Sequence, residues 1–145
     1  GADCAFFNAG IFLTDMKKGP VTALDIHRML PHPINACIFE LNEAQLRDIL
    51  AIIERAEEWP RRELRGLGFR GTVVGKMLTY HFKQQDGHIL VNDKILAPGE
   101  TVKVATLDMF TFGWFFPALK ALPKTYLLPQ FLRDILTIYG HKHFV

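Results

Sequence analysis

The chain contains no serine and only two cysteines, Cys4 and Cys37. A serine nucleophile is thereby excluded, and the thiols can form at most one bridge. Each cysteine sits in an apolar stretch, where a thiol behaves as a small buried hydrophobe, and neither lies beside a helix N-terminus that would stabilise a thiolate. A reducing compartment is expected. No window approaches 18 uninterrupted apolar residues, and the N-terminus lacks the basic region, apolar run and small-residue cleavage site of a signal peptide. Neither membrane insertion nor export is expected. Charge of one sign is lacking too: seventeen Lys+Arg against fifteen Asp+Glu leave +2, too little to nominate nucleic acid or an anionic membrane as partner.

What is present suits one packed domain. The 145 residues are 49% hydrophobic and 22% charged, close to the globular average, and a core of this size buries roughly 68–70% of the unfolded chain's surface. The chain begins at Gly1 without an initiator Met, and by residue 4 it is already in a strand-like run, Cys4-Ala5-Phe6-Phe7. These features predict a single 1–145 domain cut from a longer protein.

Local signals predict an α+β domain, a mixed β-sheet packed with helices. Thr22 followed by Asp25 reads as a capping box opening a short helix to Leu30, with Val21 and Ile26 as a hydrophobic staple. Pro31 and Pro33 end it. Residues 35–41 read as a strand. Asn42 with Gln45 then caps a second helix, on which Leu46, Ile49, Leu50 and Ile53 keep the i, i+3, i+4, i+7 spacing of a core-facing stripe. Arg55 to Lys76, rich in basic residues and broken by four glycines, reads as a charged helix end and an irregular connection. A meander follows, with strands at 78–83, 88–91 and 101–108, a turn over Gln84–Gly87 and another at Asn92-Asp93. The last helix is expected to start near Pro129, carry Leu132, Ile135, Leu136 and Tyr139 on one face, and stop at Gly140.

Few residues invite chemistry. Asp25-Ile26-His27 has the Asp-x-His spacing that opens many two-metal phosphoesterases, but no further ligand segment follows and Asp25 serves better as a cap. His141-Lys142-His143 has no nearby Cys or carboxylate and reads as a solvated tail. Each Asp and Glu has a simpler use than paired acid/base work. No catalytic residue and no metal ligand is expected in this chain. The basic run at 55–76 has interleaved glutamates and lacks stacking aromatics, which argues for a solvated face rather than a nucleic-acid surface. Met109 to Pro117 holds five aromatics in nine residues. Most should plug the core, with one or two left as a stacking platform for a planar ligand.

A family likeness joins these pieces. Asn8-Ala9-Gly10-Ile11-Phe12-Leu13, Gly19-Pro20-Val21-Thr22, Leu30-Pro31-His32-Pro33-Ile34-Asn35 and the Leu41 to Leu50 helix resemble, in order, the motifs of the C-terminal domain of the 5'-nucleotidase / UDP-sugar hydrolase family. Gly68-Phe69-Arg70-Gly71, Asp108-Met109-Phe110-Thr111-Phe112-Gly113 and Leu128 to Asp134 continue the likeness and are similar to the cytoplasmic branch of Gram-positive bacteria. The resemblance implies a substrate-binding domain that holds the nucleoside part of a nucleotide, while an N-terminal metallophosphoesterase domain, absent here, carries a divalent metal pair and the catalytic groups. No cofactor is implied within the chain itself. It also implies substrate-binding roles for Asn8, His32, Asn35, Phe110 and Phe112, His32 standing where the family has its first stacking Phe. Leu13 replaces the family's Arg, and the ribose-binding Asp has no counterpart. A non-catalytic structural or dimerisation module with a degenerate ligand site is the alternative, and a nucleic-acid-binding domain stands third.

Overall fold

The computed structural model describes residues 1–55, 63–66, 69–73 and 75–144, with side chains described outside 56–74. Its centre is a five-stranded sheet built from β1 (Cys4–Asn8), β2 (Ala36–Asn42), β5 (Met77–Tyr80), β9 (Thr101–Leu107) and β10 (Lys124–Tyr126) in the order β10-β2-β9-β1-β5. β1 and β9 run parallel while every other neighbouring pair is antiparallel, so the sheet is mixed. Two small antiparallel sheets accompany it: a β3–β4 hairpin (Glu63–Gly66, Phe69–Val73) and a meander of β6 (Phe82–Gln85), β7 (His88–Val91) and β8 (Lys94–Ile95). With α1 (Ala23–Met29), α2 (Glu43–Glu54) and α3 (Leu132–Phe144) the architecture is α+β, as expected.

Alternation along the strands assigns the two faces of the sheet. Cys4, Phe6, Cys37, Phe39, Leu41 and Val104 are buried in one core together with Leu46, Ile49 and Leu50 of α2. Phe110 and Phe116 close that core, with ring centroids 5.9 and 5.0 Å from Phe6. Ala5, Phe7, Ala36, Ile38, Ala105 and Leu107 therefore belong to the opposite face.

Both capping boxes form. Thr22 Oγ1 accepts from the Asp25 amide and the Asp25 carboxylate accepts from Thr22 N at 2.8 Å. Asn42 Oδ1 likewise accepts from Gln45 N at 3.0 Å, and Gln45 Oε1 from Asn42 N at 2.9 Å.

Four expectations are corrected. The strand read over 78–83 is two strands in different sheets, broken at His81, whose φ of +63° turns the chain. The turn read over Gln84–Gly87 narrows to Asp86-Gly87, both with positive φ, so β6 keeps Gln84 and Gln85. The glycine-rich stretch contains the β3–β4 hairpin; the remainder of the 55–76 reading, its basic face included, lies largely outside the described residues. Finally, α3 begins at Leu132, with the Asp134 carboxylate accepting from Phe131 N at 2.8 Å, and passes through Gly140 to Phe144. His141, Lys142 and His143 are thus an exposed last helical turn rather than a tail.

Candidate functional site

The residues singled out by motif come to one end of the central sheet. β1 and β9 are parallel, so Asn8 at the end of β1 and Asp108 just after β9 lie at the same end; β2 runs the other way and starts there, after His32 and Asn35. A short 3-10 turn, Asp108–Phe112, continues from β9 and carries Phe110 and Phe112. Its exit at Gly113 has φ +78°, and a Cβ there would sit 2.8 Å from Lys120 Cβ.

Hydrogen bonds tie the pieces together. Asn35 N donates to an Asp108 carboxylate oxygen at 3.1 Å, and Asp108 N donates to Asn35 O at 2.9 Å. Asn35 Nδ2 donates to Gln130 O at 3.0 Å. Thr111 Oγ1 donates to Asp108 O at 2.7 Å. Leu132 N donates to Ile34 O at 2.7 Å, and Arg133 Nη1 to Pro31 O at 2.8 Å, which joins the start of α3 to the 31–35 loop. Burial pushes the Asp108 carboxyl above its ordinary value of 3.8, partly offset by the amides of Asn35 and Met109.

The five residues are not equivalent in what they present. Phe110 and Asn8 are 0% exposed and lie within the core. Phe110 has the Phe115 and Phe116 rings edge-on at 5.9 and 5.2 Å. Asn35 is half-buried, its amide donating to backbone. His32 is half-buried as well, and its Nε2 is enclosed with no hydrogen-bond partner among the described residues. Phe112, by contrast, is 50% exposed, and Trp114 two residues on is 66% exposed. Trp114 was not among the residues expected to bind. No regular period in the aromatic run singles it out, because Phe115 and Phe116 both turn inward directly after it. Leu13 is an exposed apolar side chain.

Among the described residues no group of three His, Cys, Asp or Glu is placed to hold a metal ion, and no helix is long and apolar enough to cross a membrane. Asp25 spends its carboxylate on Thr22, which holds its pKa below the ordinary value chiefly through that side chain.

No family model matches the sequence. The chain is 39% identical over 145 aligned residues to an uncharacterized metallophosphoesterase, YunD, of Bacillus subtilis (strain 168), the match covering 92% of this chain and 31% of that protein. It therefore spans less than a third of this relative's length. Among solved structures it superposes on a putative 5'-nucleotidase from Staphylococcus aureus solved with α-ketoglutarate, with a TM-score of 0.69 at 14% identity over 98% of this chain and 31% of the other. An NAD nucleotidase from Haemophilus influenzae gives 0.63 at 16% identity, covering 98% and 27%. A 5'-nucleotidase precursor from Thermus thermophilus gives 0.58 at 16%, covering 87% and 25%. The family likeness read from the motifs is borne out, and the fold is that of one stretch of these nucleotidases.

Proposed function

We propose that this chain is the substrate-binding C-terminal domain of a 5'-nucleotidase-like phosphoester hydrolase. It holds the nucleoside part of a nucleotide while a two-metal N-terminal domain of the same protein cleaves the phosphate. The 39% identity to a metallophosphoesterase over nearly the whole chain is the observation that carries this reading. The division of labour agrees with the chain's lack of a nucleophile elbow or ligand cluster by sequence. A cytoplasmic setting belongs to the same reading; the two cysteines are buried in separate strands, β1 and β2.

Within the site, Phe112 supplies the stacking face and the half-buried His32 the second ring. Asn35 positions the loop. Asn8 and Phe110, both buried, shape the wall from behind. Base–aromatic stacking is worth about 1–3 kcal/mol per base, so this half-site alone binds in the millimolar range. Titration with adenosine and uridine, read by aromatic NMR shifts, tests the proposal. Saturable shifts at His32 and Phe112 are expected, and their absence at millimolar nucleoside would count decisively against it. The cleavage assignment is checked separately, by assaying the longer protein against a panel of phosphoesters.

A second reading, a structural or dimerisation module, is favoured by one observation. Phe12, Leu13, Met16, Val21 and Leu24 form a run of exposed apolar side chains, and such runs mark interaction surfaces.

A further inference from the structure

We propose that the hollow beneath α3 is a binding site for a small uncharged hydrocarbon ligand, of the size of a fused pair of aromatic rings or a short alkyl chain. The cavity measures about 300 Å³ and lies between α3 and the sheet face opposite the main core. Its origin is in the sequence. Ala5 and Ala105 are register partners across β1 and β9, and Ala36 stands beside Leu107 across β2 and β9. Three small side chains thus lower the floor where the helix passes over.

The helix does not descend to fill the space. Leu132, Ile135, Leu136 and Tyr139 form its sheet-facing stripe and all line the cavity, yet no residue of α3 is fully buried. Its first turn is held by Leu132 N on Ile34 O and Arg133 Nη1 on Pro31 O. These two bonds tie α3 at the height of the 31–35 loop.

The chemistry of the lining selects the ligand. Among the described residues no charged side chain lines the cavity, and the Thr106 hydroxyl is spent on the Phe6 carbonyl at 2.8 Å. A nucleotide or any ion entering there would lose hydration without compensation. Hydrocarbon would lose nothing, and the rings of Phe7 and Phe12, edge to face at 6.0 Å, form one wall for it. An apolar cavity of about 150 Å³ suffices for benzene in a well-studied case, so twice that volume suits a bicyclic ring. The lining shares no residue with the proposed nucleoside site and differs from it in chemistry, so the two proposals stand or fall independently.

The test uses naphthalene as probe and the 145-residue chain with ¹³C-labelled alanine methyls. Saturable shifts are expected at Ala5, Ala36 and Ala105, with Tm raised by about 3–5 °C at roughly ten times Kd. Ala105→Leu and, separately, Ala36→Leu should fold, keep or raise Tm, and lose both responses because the new side chain occupies the space. Unchanged alanine methyls, an undiminished response in both variants, or failure of both variants to fold would each overturn the proposal. So would adenosine moving these methyls where naphthalene does not.

Discussion

Asn35 and Asp108 hold each other by two backbone-anchored bonds: the Asn35 amide donates to the Asp108 carboxylate at 3.1 Å, and the Asp108 amide donates back to the Asn35 carbonyl at 2.9 Å. Seventy-three residues apart in sequence, they lock the loop that carries His32 to the turn that carries Phe112. The candidate site is therefore a pair of loops clasped at a sheet end, and its geometry depends on a partly buried acid.

That acid makes the clasp pH-sensitive. The folded-state pKa of Asp108 is raised above 3.8 by burial, so the folded chain binds this proton more tightly than the unfolded chain does. Below 3.8 both states are protonated and the group's stabilising contribution is fully present; it is lost as pH rises through the folded value. Asp108→Asn keeps an acceptor for the Asn35 amide and removes the charge. Its Tm should exceed that of the wild type near pH 7, and the gain should shrink to nothing as pH falls below 3.8. Paired thermal melts from about pH 3 to 7 check this, and a gain that grew on acidification would contradict it.

Phe110 and Phe112 should separate stability from binding. Phe110→Ala empties a site packed against Phe6, Phe115 and Phe116 and should cost about 3–5 kcal/mol. Phe112→Ala, on a half-exposed ring, should stay within about 0.5 kcal/mol of wild type while abolishing nucleoside-induced shifts at His32. Chemical denaturation and the NMR titration read the two effects. Equal destabilisation by both substitutions would place Phe112 in the core.

What the sequence made legible was local. The capping residues of α1 and α2 act over three positions, and Asp86-Gly87 and Asn92-Asp93 carry their turn preference in their own backbones. Features decided by distant partners were not legible. Nothing near His81 announces that Met77–Tyr80 joins β1 while Phe82–Gln85 pairs with β7. Which of the aromatics at 110–116 turn inward depends on Phe6, on the far side of the sequence. Gly140 does not take the positive φ of a helix-ending glycine, and α3 runs through it to Phe144. The motif likeness brought the site residues to one sheet end, but burial alone distinguishes Phe112 from Phe110.

The thiols should be inert in the folded chain. Cys4 and Cys37 are both buried and unpaired by any disulfide, and desolvation pushes each to about 12. At about pH 8 the thiolate, which is the reactive form, is therefore scarce as well as shielded. A disulfide reagent such as DTNB should label neither within minutes under native conditions and both at once in guanidinium. Prompt native labelling of either would show that its strand opens readily.

Gly75 and Gly87 offer a controlled pair. Both have nearly the same positive φ, +73° and +77°, so alanine meets the same backbone strain of about 1 kcal/mol at either. They differ in surroundings. A Cβ at Gly87 meets open space, whereas at Gly75 it would lie 2.5 Å from Gly10 N and 2.9 Å from Gly10 Cα. That backbone cannot yield cheaply, because Ala9 N is bonded to Lys76 O at 2.8 Å and Asn8 pairs with Met77 at the end of β1. Gly87→Ala should lower Tm by about 2–4 °C. Gly75→Ala should lower it by at least twice as much and weaken nucleoside binding, since the displaced strand end carries Asn8. Comparable melts for the two variants would mean that the close approach between residues 10 and 75 does not bear on stability.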